Sequence, residues 1–295
     1  MFHFPNSLLS APPASDFLAA FEVYDVTPAG QVSALTEESA FRDLVQTVAM
    51  SGLPTIMTDS SCLPPDVAAV LMFPIYRDGE IVSVIALAAS RDSTALGVFE
   101  IWEPVGDYSE VGLAQGYYSK LERFQNVSSY IRFEKGSGLP GTVWDNHRAA
   151  VHNNLPHHPG FLRSAGAMDE ALTSAVGIPI FDDDFVASVI LISSAKSPLA
   201  RGIEIWTLDE HGFTLCEGSY PSLPPCFTLR DGTRLGPDEG LPGMARQHGG
   251  ACVSSNPEIY AAGRVIPGDQ AAQRCGLALP YYDGSVLTSV VVLLF

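Results

Sequence analysis

Basic residues are scarce. The 295-residue chain carries 16 Lys and Arg against 33 Asp and Glu, a formal net charge of −17. Nucleic-acid affinity rests on clustered Lys and Arg facing phosphates. The few here are scattered, so no nucleic-acid partner is expected and the acidic excess reads as a solvated surface. Cysteine is sparse too. Cys62, Cys216, Cys226, Cys252 and Cys275 form no Cys-x-x-Cys pair and are odd in number, which reads as reduced intracellular thiols rather than a disulfide framework. Long hydrophobic runs are missing. Residues 82–89, 186–192 and 286–295 are the longest apolar stretches, and each is interrupted or too short for a bilayer span of about 20 residues. The start, Met1-Phe2-His3-Phe4-Pro5, has no basic region followed by an apolar run, and Pro12 and Pro13 come next. No membrane partner is expected, and a cytoplasmic location follows by default. Low-complexity tracts are absent. With 46% hydrophobic and 17% charged residues, there is core-forming material for two or three domains.

What the chain does contain is a repeat. Phe99-Glu100-Ile101-Trp102 stands beside Ile203-Glu204-Ile205-Trp206, and Leu113-Ala114-Gln115-Gly116-Tyr117-Tyr118 beside Leu215-Cys216-Glu217-Gly218-Ser219-Tyr220. Gly138-Leu139-Pro140-Gly141 stands beside Gly240-Leu241-Pro242-Gly243, and Ile178-Pro179-Ile180 beside Leu279-Pro280-Tyr281. Matches in one order at nearly one spacing mark duplicated structural units. A weaker copy lies in front: Phe21-Glu22-Val23-Tyr24, then Thr47-Val48 and Pro54-Thr55-Ile56, then Phe73-Pro74-Ile75 and an apolar run from Val82. It has lost the Gly-Leu-Pro-Gly turn. The units are placed at 14–93, 94–197 and 198–295.

Within a unit the pattern predicts a strand with Glu-Ile-Trp and a second strand with Leu113 or Leu215. A Gly-Pro turn opens a short helix at 142–146. A short strand at 149–152, a polar partly helical segment at 161–173, and two closing strands at 176–181 and 186–192 follow, the last two joined by Asp182, Asp183 and Asp184. The final strand is apolar everywhere except Ser188, the mark of a strand covered on both faces. The order predicts an α+β fold, an antiparallel sheet with short helices packed on it, three times over.

The run Gly138-Leu139-Pro140-Gly141-Thr142-Val143-Trp144 resembles the glycine turn before the first pocket helix of GAF domains. Phe161-Leu162-Arg163-Ser164, then Gly177-Ile178-Pro179-Ile180 and the apolar strand 186–192, resemble that family's closing pattern. The middle unit matches over nearly its whole length, the third well, the front one in outline. The resemblance implies a small-molecule pocket between sheet and helices in a sensor or regulatory protein without catalysis. Two alternatives stay open: a thiol-dependent reductase of small molecules, and a structural or interaction module with filled pockets. Typical members carry long terminal helices for dimerisation and signal relay. The linkers 90–97 and 194–202 have no room for them, and adjacent units exchanging strands is a further alternative. The identity of any cofactor is unknown. A small molecule, a second copy in a homodimer and a partner signalling protein are the partners that the resemblance implies.

If a unit binds a ligand, the middle one is expected to do so. It keeps the complete turn and supplies Trp144, His152, Asn153, Arg163, Ser164 and Asp169, a mainly apolar setting with a few polar groups. Arg163 could meet an anion bidentately, or pair instead with Asp169 or Glu170 on a helix face. His147, His152, His157 and His158 cluster in a segment that also holds Asn153, Asn154, Pro156 and Pro159. Imidazoles can ligate metals, but the spacing offers no tetrahedral set, and a polar loop without a metal is expected. Cys252 and Cys275 flank the third unit's pocket, with Arg264 and Arg274 near in sequence. A nucleophile needs a lowered pKa, whereas cysteine is also among the most buried residue types. No catalytic residue is assigned.

Overall fold

The computed structural model describes residues 17–35, 40–92, 94–264 and 274–295. The expectation about the first residues, and the ends 14–16 and 93 of the front unit, lie outside the described residues. The front segment forms β1 (Leu18–Val26), β2 (Val32–Ala34), α1 (Arg42–Ser51), β3 (Thr55–Met57), β4 (Val67–Arg77) and β5 (Glu80–Ser90). The middle segment forms β6 (Gly97–Val105), β7 (Glu110–Tyr117), α2 (Glu122–Tyr130), β8 (Arg132–Glu134), α3 (Gly138–Asn146), β9 (Ala150–Asn153), α4 (Ser164–Asp169), β10 (Leu172–Phe181) and β11 (Phe185–Ser194). The last forms β12 (Gly202–Asp209), β13 (Gly212–Ser219), β14 (Arg234–Leu235), α5 (Gly240–His248), β15 (Cys252–Ser254), α6 (Pro257–Ala261), β16 (Gly276–Asp283) and β17 (Val286–Leu294).

Three antiparallel sheets result, ordered β2-β1-β5-β4-β3, β8-β7-β6-β11-β10-β9 and β14-β13-β12-β17-β16-β15. The order is the same three times over, with one extra edge strand in the second and third sheets. Among the described residues no strand of one segment enters another's sheet. Helix α3 starts at Gly138, earlier than the sequence pattern placed it, so the whole Gly-Leu-Pro-Gly run belongs to its first turn. The reason is steric. A Cβ on Gly141 would lie 2.1 Å from the carbonyl oxygen of Glu134, and one on Gly243 of α5 would lie 2.3 Å from the carbonyl carbon of Asp238. Only glycine lets these helices start so close to the preceding backbone. Helix α2 has no counterpart in the sequence expectation.

Side chains alternate across a strand, so a strand apolar at every position needs an apolar neighbour on each face. In β11, Val189 and Leu191 join a core shared by all three sheets, while Ile190 and Ile192 face the middle unit's own helices. Strand β5 divides Ile85 and Leu87 from Ala86 and Ala88 in the same way, and β17 divides Val291 and Leu293 from Val292 and Leu294. The three sheets thus stand back to back around one shared core, each with its helices outward. Each aliphatic side chain fully buried there contributes about 1.5–3 kcal/mol, so the shared core binds the units together far more strongly than the few polar contacts do.

The junctions close a ring. The backbone N–H of Ile56 in β3 donates to Gln115 Oε1 of the middle unit at 2.8 Å, and that of Val151 in β9 donates to Glu217 Oε2 of the third at 2.7 Å. The last unit returns to the first. There the Ala251 N–H donates to Ser83 Oγ at 3.0 Å, His248 Nε2 meets Asp25 Oδ1 at 2.9 Å, and the rings of Phe21 and Phe295 stack at 4.9 Å. Edge strands that would otherwise offer unpaired backbone are covered by the next unit. Pro74, Pro179 and Pro280 lie in the central strands β4, β10 and β16, past the reach of the short outer strands that end opposite Met72, Gly177 and Ala278. Each proline is paired on its inner side, opposite Val84, Ser188 and Val290, and lies beyond the outer strand's pairing, the side on which a missing N–H is tolerated. They surround a cavity of about 30 Å³ where the three sheets meet.

Candidate functional site

The space between sheet and helices in the middle unit is built around Glu100. It comes from the centre of β6, on the helix-facing side, and its carboxylate is fully buried. Four donors converge on it. Trp102 Nε1 donates to Oε2 at 2.9 Å and the Tyr118 hydroxyl to Oε1 at 2.9 Å. Arg163 takes both oxygens, Nη1 on Oε1 and Nη2 on Oε2 at 2.9 Å. Arg163 reaches inward from the residue before α4. Its Nη1 also donates to Ser128 Oγ of α2 at 2.7 Å. The guanidinium lies 4.6 Å from the ring centroid of Phe124, 5.3 Å from those of Trp102 and Phe161, and 5.9 Å from that of Phe133. A planar cation suits such a site because it stacks on rings and meets a carboxylate with two parallel bonds. Burial, then the neighbouring Glu100 charge, raises the Tyr118 pKa, so its hydroxyl stays a donor.

The third unit repeats the arrangement. Glu204 of β12 accepts from Trp206 Nε1 at 3.0 Å, from the Tyr220 hydroxyl at 2.8 Å, and from Arg264 Nη2. The remaining donors of Arg264 go to the carbonyls of Phe227, Tyr260 and Ala262 at 2.8, 3.1 and 3.2 Å. Burial and then the Glu204 charge raise the Tyr220 pKa as well. In the front unit the same position is Glu22, which accepts from the Tyr24 hydroxyl and, at 2.9 Å, from the Ala40 N–H. No described Lys or Arg pairs with it.

The six residues expected to form a ligand site have separate surroundings. Trp144 stacks on Phe185 at 4.9 Å, with Lys135 Nζ 5.5 Å from its ring. His152 is buried and stacks on His158 at 3.8 Å, and among the described residues its Nδ1 has no hydrogen-bond partner. Burial and then the nearby His158 lower its pKa to about 4. Asn153 is exposed and its Nδ2 donates to the Gly218 carbonyl across a unit junction at 3.3 Å. Ser164 opens α4, and Asp169 is exposed and pairs with Arg123 at 3.3 Å. Arg163 therefore pairs with neither Asp169 nor Glu170; its partner is Glu100. None of the six lines the axial cavity or the open cleft of about 450 Å³ between the first two units, which Leu53, Glu103, Tyr108, Phe185 and the turn 182–184 enclose. The groups that organise the interior, Glu100, Ser128 and Glu204, escaped the sequence reading. The signal was present: an acid at the centre of an apolar strand, at the same place in each copy.

His147 lies 4.4 Å from the Phe181 ring, and His157 Nδ1 lies 3.2 Å from Asn154 Oδ1, so these two turn away from the stacked pair His152 and His158. Among the described residues no group of three or more His, Cys, Asp or Glu could hold a metal ion. Cys252 and Cys275 are buried. Burial pushes the Cys252 thiol up strongly and that of Cys275 to about 12. Arg264 is committed to Glu204, and the Arg274 guanidinium lies 4.1 Å over the Phe227 ring. No described helix is long and apolar enough to cross a membrane.

No family model and no curated protein matches the chain. Solved structures of similar fold include GAF domains. The nlh2 GAF domain of A. aeolicus in an inactive state is 19% identical, with a TM-score of 0.28, over 34% of this chain and 59% of that one. NreA protein from Staphylococcus aureus, mutated in its nitrate binding site, is 19% identical with a TM-score of 0.30, over 37% of this chain and 82% of that one. The free methionine-R-sulfoxide reductase of Neisseria meningitidis is 20% identical with a TM-score of 0.24, over 33% of this chain and 52% of that one. Each likeness spans about one unit. Similarity at this level concerns fold and identifies neither ligand nor reaction.

Proposed function

We propose that the chain is a non-catalytic regulatory binding protein of three GAF-like units, 14–93, 94–197 and 198–295, working as one body. The middle and third units serve as structure, their ligand space filled by the chain's own arginines. The observation that carries this reading is the placement of Arg163 and Arg264 between sheet and helices, each paired with the buried Glu of its unit. A ligand entering either space would have to displace a guanidinium from a carboxylate, leaving a buried charge unpaired. Trp144, His152, Asn153, Ser164 and Asp169 are structural in this reading. The thiol-reductase alternative is disfavoured by burial of both candidate cysteines with raised thiol pKa values, the reverse of what a nucleophile needs.

Two experiments test the reading. A compound library screened by thermal shift should yield no hit that depends on the middle unit. A ligand whose stabilisation of the wild type disappears in both Arg163→Ala and Trp144→Ala would overturn closure of that unit. Incubation with free methionine sulfoxide and a dithiol reductant should give no turnover. Turnover lost in Cys252→Ser or Cys275→Ser would make the protein an enzyme.

A further inference from the structure

The open cleft of about 450 Å³ between the first two units has both apolar and acidic walls. Leu53, Tyr108 and Phe185 supply the apolar part, and Glu103 with the turn of Asp182, Asp183 and Asp184 supplies carboxylates. Its place follows from the ring of units. Side chains alternate along β6, so Phe99, Ile101 and Glu103 share the face directed at the other units. Phe99 and Ile101 lie in the shared core, and half-buried Glu103 stands where that row leaves it. Burial raises the Glu103 pKa, and burial followed by the neighbouring Asp183 charge raises that of Asp182. A cation between them offsets both effects. Helix α1 is capped by Gly52, directly before Leu53, so its partly negative carbonyl end adjoins the same space.

The seam between the third unit and the first displays the chemistry that this place accepts. Asp25 follows Tyr24 on β1 as Glu103 follows Trp102 on β6. At that seam His248, the last residue of α5, donates from Nε2 to Asp25 Oδ1 at 2.9 Å, and the bond raises the His248 pKa toward the cationic form. Helices α5 and α1 both end on a left-handed glycine, Gly249 and Gly52. The residue before it is His248 in α5 and Ser51 in α1, so the first seam carries the acid and an uncharged helix end. The apolar wall is fixed in position. Tyr108 has a φ of 67°, which is uncommon for a bulky residue, and its hydroxyl donates to the Phe185 carbonyl at 3.2 Å.

The carboxylates call for a cation. Among the described residues no three His, Cys, Asp or Glu are placed to hold a metal ion, so the charge comes on an organic body. Leu53 is 50% exposed and Tyr108 57%, so the walls cover a guest on one side only. Pockets for free small molecules enclose most of the ligand surface. A side chain anchored in a larger partner needs no such enclosure. We propose that this cleft docks a basic segment of a partner protein, with an arginine or lysine side chain between Glu103 and the 182–184 turn and a neighbouring apolar side chain against Leu53 and Tyr108. This rests on the reading above only in taking the chain to be a binding protein; closure of the middle and third units is independent of it.

Fluorescence anisotropy of the full chain with a fluorescein-labelled peptide, Gly-Leu-Arg-Leu-Arg-Leu-Gly, tests this at physiological salt, where distant charges are screened. One peptide per chain should bind, with a Kd below about 1 mM. The same peptide with citrulline for both arginines keeps the shape without the charge, and should bind about tenfold more weakly or not at all. Glu103→Gln, Asp182→Asn and Tyr108→Ser should each weaken binding about threefold or more. Glu210→Gln removes an exposed acid outside the cleft and should leave binding unchanged. No saturation up to about 1 mM, equal binding of the citrulline peptide, or equal effects of Glu103→Gln and Glu210→Gln overturns the proposal. Free agmatine binding as tightly as the peptide would assign the cleft to a small cation, and a dimer of the chain that Tyr108→Ser abolishes would assign it to a second copy. Either result overturns the partner-protein assignment. Such failures leave closure of the other two units untouched, since that is read from the Arg163 and Trp144 variants.

Discussion

Replacing Arg163 by Met removes the cation while keeping most of the side-chain volume. Glu100 then keeps Trp102 and Tyr118 as donors but loses both bonds from the guanidinium, in a place with no solvent to compensate. Breaking a buried pair by removing one partner costs about 3–5 kcal/mol. At about 2 °C or more per kcal/mol for a chain this long, the melting temperature should fall by about 6 °C or more. Glu100→Gln alone should cost a similar amount, because it strands the buried Arg163. In the double variant neither charge remains, so its stability should be no worse than that of either single variant. The coupling from the cycle should therefore be about 3 kcal/mol or more. Urea midpoints at constant slope measure it. A cost below about 1 kcal/mol for Arg163→Met, or a coupling below about 0.5 kcal/mol, would refute the claim that this pair closes the unit.

Two histidines act on stability in opposite pH windows. His152, with its pKa lowered to about 4 in the fold, takes its proton in the unfolded chain first, so stability should fall by about 3 kcal/mol as pH drops from 6.5 toward 4; His152→Phe, which keeps a ring over His158, should flatten that loss. The hydrogen bond that His248 donates to Asp25 raises the His248 pKa, so its contribution is complete below pH 6.5 and is lost as pH rises through the folded value. This partly exposed pair should contribute less than about 1 kcal/mol, and a stability decline from pH 6 to pH 8.5 that persists unchanged in Asp25→Asn would show that another group is responsible. Among the thiols, exposed Cys62 should react with a disulfide reagent within the mixing time, while Cys252 and Cys275 should react only as fast as the chain unfolds; rapid labelling of Cys275 at neutral pH would contradict its burial.

The strand order of each unit could be read because β-strands follow a local pattern and the chain repeats it. Three copies of one order constrain each other, so the weak front copy could be aligned through Phe73-Pro74-Ile75 and the apolar run after it. Both-face coverage of 186–192 was legible as well, since a strand apolar everywhere except Ser188 needs an apolar neighbour on each face. What covers the second face was not legible: the shared core joins Val189 of one unit with Ile85 and Val291 of the others, and such packing leaves no local mark. The interior site was misread for the same reason. Arg163 meets Glu100 across 63 residues of sequence, and neither the strand pattern around one nor the helix pattern around the other points to that pairing. The acid was visible as part of the repeated Glu-Ile-Trp motif, but attention went to the tryptophan and to the glycine turn. The histidine cluster looked like a unit in sequence, yet β9 buries His152 while the turn after it carries His157 to the surface.

The central claim is that two of the three units are sealed by arginines of the chain itself. Side-chain nitrogen NMR of the arginines reads this directly, because a guanidinium locked in a buried ion pair rotates slowly and exchanges its protons slowly, while a solvated one does neither. The account predicts protected guanidinium signals for Arg163 and Arg264, surviving until global unfolding, with the first lost in Arg163→Met and the second in Arg264→Met. Rapid exchange of both guanidinium groups with solvent in the wild-type protein would contradict it.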